Sequence, residues 1–116
     1  MNNTFQLSRE YSIGELFDCA KIGINPRIYF DIYGPAYSSI TELKSVWVDE
    51  SVQVDDEDNE ILPKSVIEKG FEYLYSGEMV RMVCQNLMKQ KLDAKARDFA
   101  LALDFYSKND DFFNFS

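Results

Sequence analysis

Residues 11–34 read YSIGELFDCAKIGINPRIYFDIYG, and this stretch sets a helix and a strand next to each other in the chain. Its first half contains Ser12 and Glu15 in the S-x-x-E pattern of an N-terminal capping box. Apolar residues then recur at helical spacing until Gly23, a residue that commonly ends helices. The pattern predicts a helix from Ile13 to Ile22.

The second half of the stretch alternates in polarity after Asn25-Pro26, which predicts a strand from Arg27 to Tyr33. Alternate side chains of a strand point to opposite faces. One face is then apolar and carries Ile28, Phe30 and Ile32, and the other carries Arg27, Tyr29, Asp31 and Tyr33.

Further elements follow the same rules along the chain. A second strand is predicted from Lys44 to Asp49, with Val46 and Val48 on one face and Trp47 opposite. Val52 and Val54 extend it if a bulge or a turn near Asp49-Glu50 keeps Glu50 off the apolar face. The remaining predictions are a short helix from Pro63 to Gly70, a helix over 77–90 and a last helix from behind Asp93 to about Ser107. Residues 71–75 either continue the short helix or form a strand, and the strand is favoured because Ser76 caps the helix that follows. Together they predict a single α+β domain over residues 1–116, a small sheet of about three strands packed with four helices.

Composition limits the class of protein. The chain has 116 residues, 46% of them hydrophobic, which suffices for one core. No apolar run approaches the length of a membrane span, and the first five residues lack the features of a signal peptide. We therefore expect a cytoplasmic protein without a membrane partner.

Histidine is absent, which removes the usual general base and the commonest metal ligand. Cys19 and Cys84 fall on apolar helix stripes and are interpreted as buried hydrophobic residues, neither a disulfide nor a metal site. We expect no catalytic residues, no cofactor and no metal. A carboxylate-dependent enzyme stays open as an alternative, since the chain has 20 Asp and Glu residues.

The net charge of −8 is uneven along the chain. Residues 1–62 contain 12 acids against 4 bases, whereas residues 63–116 contain 8 of each. An acidic surface repels phosphates, which argues against direct nucleic-acid binding. It attracts a basic protein and accelerates its approach.

An acidic run, Asp55-Asp56-Glu57-Asp58-Asn59-Glu60, holds much of this charge. It does not fit a calcium-binding EF-hand loop, because neither frame supplies the required Gly and Glu. Two interpretations stay open: a solubilising loop, or a docking surface for Lys and Arg. The second is favoured by the neighbouring Trp47, Asp49 and Glu50.

Trp47 itself has two interpretations. Tryptophans commonly anchor cores, but Trp47 lies opposite the apolar face of its strand, and an open face would make it an interaction hot spot. If the two strands are adjacent, their polar faces form one aromatic-acidic patch. The predicted partner-binding residues are Tyr29, Asp31, Tyr33, Trp47, Asp49, Glu50, Asp55, Asp56, Glu57, Asp58 and Glu60.

The last two thirds of the chain resemble a family of short uncharacterised bacterial proteins. The resemblance lies in residues 70–76 (GFEYLYS), 86–90 (NLMKQ) and 102–112 (ALDFYSKNDDF), preceded by the acidic run. In size, acidity and lack of catalytic groups the chain is also similar to immunity proteins of bacterial toxin systems, including contact-dependent growth inhibition. That resemblance implies binding to a cognate toxin domain, often a basic nuclease.

The sequence therefore predicts an immunity protein that neutralises a nuclease toxin through an acidic-aromatic surface. The alternative is an acidic nucleic-acid mimic or a regulatory adaptor that binds another basic protein.

Overall fold

The computed structural model describes residues 5–36 and 38–115. In these residues the chain forms six strands, four α-helices and one 3₁₀-helix, Ile40–Glu42. The strands are β1 (Arg9–Ser12), β2 (Phe30–Gly34), β3 (Ser45–Glu50), β4 (Gln53–Val54), β5 (Glu60–Ile61) and β6 (Glu72–Ser76). The helices are α1 (Ile13–Ile22), α2 (Lys64–Lys69), α3 (Gly77–Gln90) and α4 (Ala96–Asn109).

Four of the strands form one antiparallel sheet in the order β1-β3-β2-β6. The other two, β4 and β5, pair only with each other as a small separate hairpin. We call residues 53–61 the acidic hairpin, because its turn carries the acidic run.

The main core lies between one face of the sheet and the helices α1, α3 and α4. Val46, Val48 and Ile32 enter it from the strands. Phe17 of α1 stacks on Phe99 of α4, with ring centroids 5.0 Å apart, at the centre of the helical layer. Burial of these apolar side chains is the main force that holds the helices on the sheet.

The opposite face of the sheet is covered in part by α2. Tyr33 of the sheet and Val66 of α2 are completely buried but lie outside the main core cluster. The ammonium group of Lys69 lies 4.3 Å from the ring centroid of Trp47. The domain therefore has a second, smaller packed layer on the face that the sequence left open.

The α+β class and the four helices are confirmed. The capping box of α1 forms as predicted: Ser12 accepts a hydrogen bond from the amide of Glu15, and Glu15 accepts one from the amide of Ser12. Gly70 ends α2 in the left-handed conformation, with a φ of 67°.

Three details differ from the predicted elements. The main sheet has four strands rather than about three, because β1 pairs along β3; β1 contains one apolar residue, Tyr11, and so shows no alternation. The first predicted strand begins at Phe30 rather than Arg27, after a turn in which Ile28 donates to the carbonyl of Asn25. The last helix begins at Ala96, where the carboxylate of Asp98 accepts from the amide of Lys95.

Candidate partner-binding surface

The two strands that carry the predicted patch are neighbours, as the patch requires. Asp31 lies opposite Asp49, and Tyr33 lies opposite Trp47, in the antiparallel register of β2 and β3. These four side chains therefore share the face of the sheet that lies away from the main core.

Three of the four are buried rather than exposed on an open face of the sheet. Tyr33 is completely buried, Asp49 is 2% exposed and Asp31 is 8% exposed. The physical reason is that α2 and the segment that follows β3 fold back over this face. A sequence pattern that marks a polar face does not show what tertiary packing later covers it.

The Asp49 carboxylate sits at the centre of a hydrogen-bond network. Its Oδ1 accepts from the hydroxyl of Ser8 at 2.9 Å and from the amide of Glu50 at 2.8 Å. Its Oδ2 accepts from the indole of Trp47 at 2.9 Å and from the hydroxyl of Ser65. Desolvation raises the pKa of Asp49, but these four donors outweigh it and hold the pKa below its ordinary value.

The Asp31 carboxylate has fewer partners. It accepts from the amide of Val52 at 3.0 Å and from the amide of Gly77, the first residue of α3, at 3.3 Å. Burial raises the pKa of Asp31, and the two backbone hydrogen bonds only partly offset that effect.

Tyr33 completes this arrangement by donating its hydroxyl to the carbonyl of Glu50 at 2.5 Å. Burial, together with the negative charges of Asp31 and Asp49, raises the pKa of Tyr33, so the hydroxyl keeps its proton and remains a donor. The three buried side chains thus hold the backbone of residues 50–52 where the chain leaves the sheet. They fix the direction in which the acidic hairpin projects.

Trp47 is half-buried. It is therefore neither a fully buried core anchor nor a fully exposed hot spot. Its indole N–H is used by Asp49, and Lys69 lies over its ring. A cavity of about 100 Å³ lies beside it, lined among others by Tyr33, Lys69 and Phe71. Trp47 therefore joins α2 to the sheet and offers only part of its ring to a partner.

The turn of the acidic hairpin is organised by Asp55. Its Oδ1 accepts from the amides of Glu57 at 2.8 Å and Asn59 at 2.9 Å. These bonds lower the pKa of Asp55, and Asp58 takes the positive φ of 63° that the tight turn needs. Asp55 is a structural residue of the turn as well as a charge.

The other acids of the hairpin are exposed: Asp56, Glu57, Asp58 and Glu60. The four ion pairs of the described residues all lie elsewhere: Arg9–Glu15, Lys21–Asp18, Lys91–Asp98 and Lys108–Asp104. Within residues 5–36 and 38–115, no basic side chain therefore forms an ion pair with the hairpin. Of the predicted surface, the hairpin acids, Glu50 and Tyr29, which is 74% exposed, are the exposed residues.

Sequence reasoning missed the serines that serve the buried carboxylate. Ser8 and Ser65 lie 41 and 16 residues from Asp49 along the chain, and neither stands in a motif. The signal that was present is Val66, an apolar residue in a short polar helix, which needs a surface to pack against.

Residues 5–36 and 38–115 contain neither a candidate metal site nor a helix that could span a membrane. No three Cys, Asp or Glu side chains there come together in a group that could hold a metal ion. None of the helices in these ranges has both the length and the apolar character needed to cross a membrane.

The fold and this surface define an α+β domain that projects an acidic hairpin from one side of its sheet. The chain belongs to the DUF7716 family, described as a domain of unknown function, whose model matches residues 25–115. The matched region contains every predicted surface residue and begins after α1. No curated protein and no solved structure matches the chain.

Proposed function

We propose that this protein is an immunity protein, which binds a cognate toxin domain, a basic nuclease, and blocks it. The observation that carries the proposal is the acidic hairpin: exposed carboxylates without ion pairs in the described chain, held away from the sheet by a buried scaffold. A surface built only for solubility needs no such scaffold.

Charge complementarity connects this surface to a nuclease. A nuclease is basic around its substrate groove, because it must bind phosphates. An acidic hairpin occupies such a groove in place of nucleic acid, and its field accelerates the encounter. In this proposal the protein acts by binding and has no enzymatic activity of its own.

Apolar groups beside the acids supply the desolvated contacts that such complexes need. Val54 and Ile61 of the hairpin, Ile67 of α2 and Tyr73 of β6 are exposed large apolar side chains. Burial, together with the negative charges of Asp31 and Glu60, raises the pKa of Tyr73. The contact surface of the proposal therefore combines the hairpin with this exposed apolar rim.

The proposal assigns the protein to the cytoplasm, where a nuclease meets its substrate. The free thiols of Cys19 and Cys84 suit a reducing compartment.

The test begins with the gene directly upstream, which should encode a large toxin. Its C-terminal domain, co-expressed with this protein, should co-purify as a stoichiometric complex, and its nuclease activity should fall as the immunity protein is titrated in. A toxin domain that remains fully active in the presence of excess protein would overturn the proposal. Capture of a different basic protein, with no effect on a nuclease, would favour an adaptor instead.

A further inference from the structure

Asp31 differs from the other shielded carboxylates of the described chain. Asp98 and Asp104, with side chains 13% and 15% exposed, form ion pairs with Lys91 and Lys108. Asp49 accepts four hydrogen bonds. Asp31 has two backbone amides, one of them at 3.3 Å, and no basic side chain lowers its pKa.

This carboxylate lines an open cleft of about 410 Å³ at the start of α3. The exposed ring of Tyr29, the hydroxyl-bearing Ser51 and the exposed Glu78 line the same cleft. A carboxylate that is 8% exposed, lacks a counter-ion and borders an open space is an energetically incomplete arrangement. A cation in the cleft would complete it.

Arg81 also lines the cleft, but its hydrogen bonds go to the loop before β2. Its Nη2 donates to the carbonyls of Asn25 and Ile28, both at 2.9 Å, and it forms no ion pair with Asp31. Its guanidinium lies 5.2 Å from the ring centroid of Phe30. Arg81 therefore holds the loop before β2.

We propose that the cleft binds one basic side chain of the partner, a lysine or arginine, through the Asp31 carboxylate, with Glu78 and the ring of Tyr29 around the cation. Tyrosine faces attract cations, and Glu78 adds a second negative charge at the opening. Ser51 lies two residues before the acidic hairpin, so the hairpin and the cleft form one continuous surface. The hairpin steers the partner, and the cleft anchors it.

The source of the cation rests on the proposed function, whereas the cleft itself is testable without any partner. The probe is n-butylammonium chloride, a mimic of the lysine side chain, titrated into the protein and followed by amide NMR. Butan-1-ol and sodium chloride serve as controls for the apolar chain and for ionic strength. The reporters are the amides of Val52 and Gly77, which donate to Asp31.

The protein supplies its own matched comparison. The amides of Glu57 and Asn59 donate to Asp55, an exposed carboxylate outside the cleft. We expect a saturable shift at Val52 and Gly77 with the ammonium probe alone, and a linear, non-saturating drift at Glu57 and Asn59. No saturation at Val52 and Gly77, or an equal response at both carboxylates, would overturn the proposal.

Variants at the rim of the cleft leave the hydrogen bonds of Asp31 intact. Glu78→Gln should lower the affinity for the probe about threefold, because it removes one nearby negative charge. Tyr29→Leu should weaken it about two- to fivefold, whereas Tyr29→Phe, which keeps the ring, should bind as the wild type does. The proposed site would also be overturned if Tyr29→Leu and Glu78→Gln, each as a single variant, both bound n-butylammonium with wild-type affinity. Failure of the toxin experiment with saturable probe binding would overturn only the assigned partner.

Discussion

Asp31 and Asp49 face each other across β2 and β3, yet their surroundings shift their pKa values in opposite directions. Desolvation dominates at Asp31 and raises its pKa. At Asp49 the four hydrogen-bond donors outweigh desolvation and lower it. Both side chains are buried, and Asp49 has four donors against two at Asp31.

This contrast predicts two separate carboxyl titrations. In a ¹³C NMR titration we expect Asp31 to titrate above the ordinary value of about 3.9 and Asp49 below it. Asp49 then contributes stability above about pH 4 that is lost as the pH falls through its folded pKa. Asp31 contributes stability below about pH 4 that is lost as the pH rises through its folded pKa. Coincident titrations would contradict the assigned networks.

Glycine has a specific role at the start of α3. A Cβ atom at Gly77 would lie 2.4 Å from the carbonyl oxygen of Phe30 and 2.9 Å from its ring. Gly77→Ala should therefore lower the free energy of unfolding by about 1–3 kcal/mol, although alanine normally favours a helix.

The matched control is Gly14→Ala in α1. There the nearest atom to a new Cβ is the Ser12 hydroxyl oxygen at 4.0 Å, so the helix has room for it. This variant should raise the free energy of unfolding by about 0.5–1 kcal/mol. Urea denaturation of both variants measures the difference, and equal effects would mean that α3 does not approach β2 as described.

Among the elements, α2 is the one that determines which predicted residues stay exposed. Val66 of this helix is completely buried, and its neighbour Ile67 is 62% exposed. We expect Val66→Ala to reduce the free energy of unfolding by about 2 kcal/mol, from lost apolar burial and a small cavity. Ile67→Ala, a larger truncation on the exposed side, should change it by less than about 0.5 kcal/mol. Thermal or urea unfolding that ranks the two variants the other way would show that α2 does not pack on the sheet through Val66.

Elements with local signals were predictable from the sequence. The bounds of α1 and α3 follow from Ser12 and Ser76, whose hydroxyls cap the first turn, and from helical apolar spacing. The burial of Tyr33 and Asp49 was not predictable, because it depends on a six-residue helix folding back from a distant part of the chain. Local alternation gives the two faces of a strand, and only tertiary contacts decide which of them meets water.

The site, too, has one part that local sequence predicts and one part that depends on tertiary contacts. The exposed acids of the hairpin follow from composition and turn residues alone, and they lie where the sequence placed them. The cleft at Asp31 was hidden, because it joins β2, the segment after β3 and the start of α3. Three segments separated by 20 or more residues meet there, and no pattern in any one of them indicates a cavity.

For the whole molecule, the charge is separated in space as well as in sequence. The described ion pairs lie at α1, α3 and α4, and the acidic hairpin has none. Its charges extend their field into solvent over about a Debye length, roughly 8 Å at physiological salt. Such a field acts mainly on the rate at which a basic partner associates.

The most direct test measures the association rate between this protein and the upstream-encoded toxin domain as a function of salt. The test variant replaces Asp56, Glu57, Asp58 and Glu60 with the corresponding amides and keeps Asp55, which the turn needs. The control variant makes the same charge change at four exposed acids outside the hairpin: Glu42, Asp93, Asp110 and Asp111.

We predict that the hairpin variant associates about tenfold more slowly at low salt and has a much flatter salt dependence, while the control stays close to the wild type. A hairpin variant with the on-rate and salt slope of the wild type would contradict the central claim, that the acidic hairpin is the surface that receives a basic partner.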